Sequence, residues 1–170
     1  MIDSPLMEPQ EIEKIIAHLS PKHTMLEWGS GGSTLFFPPK VARYYSIEHD
    51  PTWYHSVAQE IAKRGLKNVH ISLVKPNAPL THPTKYNEVK DYIEFPKKLG
   101  IPRFDRVLID GRGRPECAKA LLPLIDGNSI VFFHDFYLPG REYYRKALDH
   151  YVEIDSVKSG PRTLTILRKK

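Results

Sequence analysis

The feature that most constrains the fold is the order of its apolar runs. Residues 23–28 (HTMLEW), 42–49 (ARYYSIEH), 68–74 (NVHISLV), 103–110 (RFDRVLID) and 129–135 (SIVFFHD) are short and rich in β-branched or aromatic residues, as strands are. Helical patterns fall around and between them. Residues 9–19 set Ile12, Ile15, Ile16 and Leu19 on one face, and Pro9 fits the first turn. Residues 33–37 begin a helix that Pro38 and Pro39 stop early. Asp50 is an N-cap with Pro51 in the first turn of a helix to about Lys63, which Gly65 closes. Residues 116–125 and 140–150 are also predicted helical, and 126–128 a turn. Strand and helix alternate to residue 150, which predicts an α/β parallel sheet with helices on both faces. Two alternating strands follow, at 151–158 and 162–169, with a tight antiparallel link at 159–161. The odd piece is 75–102, a proline-punctuated connection expected to be a lid or substrate loop with a short helix within 86–95.

The run TMLEWGSGGSTLFF, residues 24–37, carries three glycines, Gly29, Gly31 and Gly32, directly after Glu27. Glycine is costly to order, so three here imply a sharp bend or a close approach. The spacing E-x-G-x-G-G is neither the dinucleotide fingerprint nor a P-loop, because no G-K-[ST] follows.

One domain is expected from 170 residues that are 41% hydrophobic and 26% charged. No apolar run reaches the roughly 20 residues a bilayer span needs, so no membrane is expected. The first sixteen residues lack the basic start and apolar centre of a secretory signal. The single cysteine, Cys117, excludes an internal disulfide and a multi-cysteine zinc site. A reducing, cytoplasmic setting is the expectation. The net charge of +5 is spread along the chain, which fits a solvated surface and an anionic small molecule better than a nucleic-acid track.

In open parallel sheets, ligands bind beyond the carboxyl ends of the strands. There this chain places Glu27 and the glycine loop, then Glu48, His49 and Asp50, then Asp110 with Gly111 and Arg112, then His134 and Asp135. LEWGSGGST, then YYSIEHD about twenty residues on, then FDRVLIDG and SIVFFHDF resemble the class I S-adenosylmethionine-dependent methyltransferases. The resemblance covers roughly residues 10 to 170. It implies a Rossmann-like sheet of seven strands, mostly parallel with the last antiparallel, and S-adenosylmethionine as cofactor. By position it implies that Glu27, Gly29, Ser30, Gly31, Gly32 and Ser33 hold the methionine part. Glu48 would take both ribose hydroxyls, with His49 beside it, Asn77 at the adenine edge and Asp110 near the cofactor.

Asp110, His134 and Asp135 resemble the metal ligands of the family's catechol-type members, but Phe136 stands where an amide is expected, and His134 would have to replace it. A divalent metal is thus an alternative to general-base catalysis, in which a neutral His134, oriented by Asp110 or Asp135, takes the proton of an acceptor hydroxyl. Arg112, Arg114, Tyr137 and Arg141 are the expected acceptor-binding residues, although the arginines could equally pair with nearby acids. The reading is an O-methyltransferase acting on a small polar molecule such as a sugar. The alternatives are a nucleic-acid methyltransferase, against which the missing N-P-P-[YF] motif counts, and a non-enzymatic cofactor-binding domain or a module of a larger assembly.

Overall fold

The structure is a computed structural model, and it describes residues 4–159 and 162–170. Seven strands form one sheet in the order β3-β2-β1-β4-β5-β7-β6. They are β1 (Thr24–Trp28), β2 (Arg43–Glu48), β3 (Val69–Leu73), β4 (Arg106–Ile109), β5 (Ile130–His134), β6 (Tyr151–Ser159) and β7 (Arg162–Lys169). The pairs among β1 to β5 are parallel, and β7 runs antiparallel to both β5 and β6. Each expected strand is therefore present, within one to three residues at its ends. The link expected at 159–161 falls on residues 160 and 161, outside the described residues.

The helices are α1 (Pro9–Ile16), α2 (Gly32–Phe36), α3 (Pro51–Lys63), α4 (Lys90–Glu94) and α5 (Arg114–Leu121). Asp50 caps α3 as expected, its Oδ1 accepting the Trp53 N–H at 2.8 Å. Prolines 38 and 39 do end α2, but the chain continues as a 3-10 turn over Pro38–Lys40. Residues Glu142–Asp149 also wind as 3-10 rather than α-helix.

Both faces of the sheet are covered. One core holds Leu26, Trp28, Val107, Ile109, Val131 and Phe133. The other holds Met25, Tyr44, Leu108, Ile130 and Phe132 with Ile15 of α1. The alternation along each strand sends successive side chains to opposite layers. No helix among the described residues is long and apolar enough to cross a membrane.

The 75–102 segment differs from the expected free lid. Val89 and Tyr92 are fully buried, Ile93 nearly so, and the Tyr92 carbonyl accepts the Trp28 indole N–H at 3.1 Å. Burying such side chains stabilises by about 1.5–3 kcal/mol each, so this part is core. His82 and Thr84, earlier in the segment, do reach the cleft described next.

Candidate functional site

Parallel register brings the strand ends to one edge: Trp28 aligns with Ile47 and with Ile109. A cleft of ≈ 240 Å³ opens there, lined by His49, Asp110 to Arg114, His82, Thr84, Arg141, Tyr143 and Tyr144.

The glycine loop meets the expectation of a sharp bend or a close approach at two of three positions, with the chain's own backbone as the neighbour. Gly29 has φ +90, and a Cβ there would meet Gly111 Cα at 2.8 Å. Its glycine lets the loops after β1 and β4 touch backbone to backbone. A Cβ on Gly32 would collide with the Ser4 carbonyl. Gly31 alone is extended and uncrowded, with the Trp53 ring 3.8 Å from a built Cβ. Trp53 lies over this loop, its indole donating to the Ser30 carbonyl at 2.6 Å.

The acids at this edge are held in three different ways. Glu27 is fully buried and accepts hydrogen bonds from the hydroxyls of Ser33, Thr34 and Ser46. Burial pushes its carboxyl up to about 7, against the lowering effect of those hydroxyls. It braces the loop from beneath rather than facing open space.

Glu48 is closed off as well. One oxygen accepts the N–H and hydroxyl of Ser30 at 2.9 and 2.8 Å. The other accepts the N–H groups of His49 and Asp50 at 2.7 and 2.8 Å, with the His49 Nδ1 2.9 Å away. Burial would raise this carboxyl, but His49, the Asp50 N–H and Ser30 hold it below the usual range. The expected ribose acid is thus turned inward, and a diol would have to displace Ser30 Oγ and the His49 ring.

Asp110 lines the cleft. Its Oδ1 lies 2.9 Å from His134 Nδ1 and 3.1 Å from Arg114 Nη2, which leaves Oδ2 without a partner among the described residues on a side chain 25% exposed. Burial would raise it, but the Arg114 charge and the His134 hydrogen bond keep it low and ionised.

His134 is buried at the end of β5 between acids. Its Nε2 is 3.5 Å from Glu11 Oε2, and Asp135 Oδ2 is 3.8 Å from Nδ1. Burial alone would push the imidazole down, yet hydrogen bonding to Asp110 and Glu11 and the charges of Asp110 and Asp135 lift it to about 9. These acids favour the imidazolium at neutral pH over the neutral base expected from the sequence, and His134 does not line the cleft.

Glu11, on α1 and fully buried, is the site residue that the sequence reading missed. The signal was present: Glu11 is one turn from Ile15, an acid on the stripe that packs against the sheet.

The metal reading fits poorly. Ligand atoms of Asp110, His134 and Asp135 do lie within 4.8 Å of one another. However, the buried Arg114 guanidinium sits 3.1 Å from Asp110 and 3.5 Å from Asp135, and it also donates to the His134 carbonyl. A fixed cation already neutralises the acids whose charge an ion would need. Asp135 is held at φ 57, a backbone state uncommon for non-glycine residues and frequent at functional sites.

The remaining expected residues divide. Arg112 and Arg141 line the cleft, whereas Arg114 is committed to the acids. Tyr137 lies outside the cleft lining, its hydroxyl donating to Glu153. Asn77 is exposed and uses both ends of its amide on Asp91, so it staples its own segment instead of presenting an adenine-reading edge.

No protein-family model and no curated sequence matches this chain. Solved structures do. A methyltransferase-like protein from Silicibacter pomeroyi superposes with TM-score 0.72 at 22% identity, covering 100% of this chain and 91% of its own. An rRNA methylase from Streptococcus thermophilus gives TM-score 0.69 at 11% identity, covering 98% and 99%. A candidate methyltransferase from Streptococcus mutans, in complex with S-adenosylhomocysteine (SAH), gives 0.67 at 11%, covering 98% and 100%. The sheet order and these superpositions define the Rossmann-like fold of the class I S-adenosylmethionine-dependent methyltransferases.

Proposed function

We propose that the chain is an S-adenosylmethionine-dependent methyltransferase that methylates a hydroxyl on a small polar acceptor such as a sugar. The observation that carries this reading is Asp110: an ionised carboxylate with one oxygen unpartnered among the described residues, lining a cleft at the ligand-binding edge of this fold. The residues at the edge fit the cofactor. Gly31 is the glycine of this loop that the chain's own packing does not require, Glu48 becomes a diol acceptor once the Ser30 hydroxyl and the His49 ring turn away, and Asp110 favours a cationic neighbour. When bound, S-adenosylmethionine supplies an electrophilic methyl group on a cationic sulfur.

The chain's own residues then do three things. Trp53 fixes the glycine loop through the Ser30 carbonyl and so presents Gly31 to the ligand. Oδ2 of Asp110 accepts the hydrogen bond of the acceptor hydroxyl and so orients the oxygen lone pair. Methyl transfer to that oxygen would break the methyl–sulfur bond and release neutral SAH, and Asp110 would take the proton of the acidic oxygen so formed. A carboxylate held low in pKa is adequate for so late a transfer, and no neutral histidine is needed. His134 and Arg114 keep Asp110 oriented and charged.

Calorimetric titration with S-adenosylmethionine and SAH tests the reading. Both are expected to bind, and Gly31→Val to abolish binding while the melting temperature stays within a few degrees of the parent. Failure of the parent protein to bind either compound overturns the proposal.

A further inference from the structure

We infer that the acceptor carries a compact oxyanion, a carboxylate or a phosphate, gripped by Arg112 and Arg141; this rests on the reading of the cleft as the acceptor site. The charge balance of the cleft carries the inference. Asp110 is its one carboxylate among the described lining residues, and it is already paired with the Arg114 guanidinium. Two further guanidiniums line the same small space, and neither forms an ion pair with a described carboxylate. Arg112 is exposed, on the turn between Gly111 and Gly113.

Arg141 is held in place rather than left to wander. Its Nη1 donates to the Tyr144 hydroxyl at 2.6 Å, and its guanidinium lies 5.6 Å over the Tyr144 ring. The same ring carries Arg114 at 5.5 Å. Tyr144 is only 4% exposed, so it is a fixed spacer between two cations. Arg114 is neutralised by Asp110 and Asp135, whereas Arg141 has no described carboxylate as an ion-pair partner and is left to meet an anion from outside. A guanidinium fork suits the two or three oxygens of a carboxylate or phosphate, and the Thr84 hydroxyl lines the same cleft. Size argues for a small molecule: the two cations share one ≈ 240 Å³ cleft rather than forming part of a stripe across the surface that a nucleic-acid backbone would follow.

The test is calorimetric titration of the full chain with phenyl phosphate, benzoate and neutral phenol, with and without SAH. At least one anion is expected to bind about tenfold or more tightly than phenol. Arg112→Gln and Arg141→Gln should each remove most of that preference. Lys119→Gln, on the outer groove beside α5, should leave it intact. Preference for benzoate identifies a carboxylate acceptor, and preference for phenyl phosphate a phosphorylated one. Equal binding of all three probes overturns the inference, as does equal weakening by Lys119→Gln, which would mean diffuse charge. Tight binding of a short RNA oligonucleotide that Arg112→Gln and Arg141→Gln weaken together also overturns it, in favour of a nucleic-acid acceptor. Anion preference without SAH binding would leave the oxyanion site standing and remove the methyl-transfer reading.

Discussion

The imidazolium of His134 makes a quantitative claim about stability. Lifting an imidazole from its ordinary 6.5 to about 9 is worth about 3 kcal/mol of folding free energy when the group is protonated. Because the folded state binds this proton more tightly than the unfolded chain, the contribution is complete below the unfolded value of 6.5. It is lost as pH rises through about 9. Glu27, raised to about 7, acts in the same direction at lower pH, between 4.5 and 7. Asp110, Glu11 and Glu48 are all held low, so their contributions are lost only on acidification. The window from 6.5 to 9 therefore belongs chiefly to His134. The perturbation is His134→Asn, which keeps a donor for Asp110 but cannot carry the charge. Urea unfolding near pH 6 and near pH 9.5 is the assay, with the slope checked for constancy. At the lower pH the variant should be less stable by about 3 kcal/mol, because buried carboxylates lose a cationic partner. At the higher pH the two proteins should converge. Parallel profiles, with the same gap at both pH values, would show that His134 is not charged in the folded protein and would return it to the role of a neutral base.

Gly29→Ala should lower stability by about 1–3 kcal/mol, since φ +90 and a 2.8 Å approach to Gly111 both oppose a side chain. Gly31→Ala should leave the melting temperature unchanged and weaken SAH binding, so thermal melts and calorimetry together separate the glycine that packs from the glycine that meets a ligand. Arg114→Met should cost about 3–5 kcal/mol in urea unfolding, because Asp110 and Asp135 lose their shared cation. Once an acceptor is in hand, the methylation rate should stay level between pH 6 and 8 if Asp110 takes the proton. A rate that climbs towards pH 9 would instead report deprotonation of His134 as the limiting step.

The local parts of this molecule were legible in the sequence. The Asp50 cap, the Pro51 start and the Gly65 stop of α3 involve residues a few positions apart, and composition specifies them directly. The strands were legible because alternation and β-branching repeat within each run, and their order restricted the topology to very few choices. Contacts between distant segments were not legible. Gly29 looked like a ligand-facing residue because nothing near it in sequence reveals that Gly111 comes within 2.8 Å of its missing side chain. Glu48 looked available because its backbone donors depend on how the chain turns after β2. Glu11 carried no signal of a role in the site beyond its place on the packed stripe, since its partner lies at the far end of β5. The 75–102 segment looked like a loop because its prolines and polar residues outnumber the few apolar side chains that anchor it, Val89, Tyr92 and Ile93.

A site for a cationic cofactor must gather carboxylates, and gathered carboxylates repel one another before any ligand arrives. This chain relieves that repulsion three ways. Glu27 is buried so deeply that its proton is held to about 7, with hydroxyls as its neighbours. Glu48 stays charged but faces N–H donors and the His49 ring. Asp110 stays charged beside Arg114 and His134, which leave a single oxygen without a partner among the described residues. The lining of one cleft thereby carries the Asp110 carboxylate together with Arg112 and Arg141, which form no ion pair with a described carboxylate. Opposite charges in one cleft can orient a molecule, with a hydroxyl or cationic centre at Asp110 and an anionic group at the arginines. The same arrangement makes Arg114 and His134, neither free to leave the acids, the residues on which the polarity of the cleft depends.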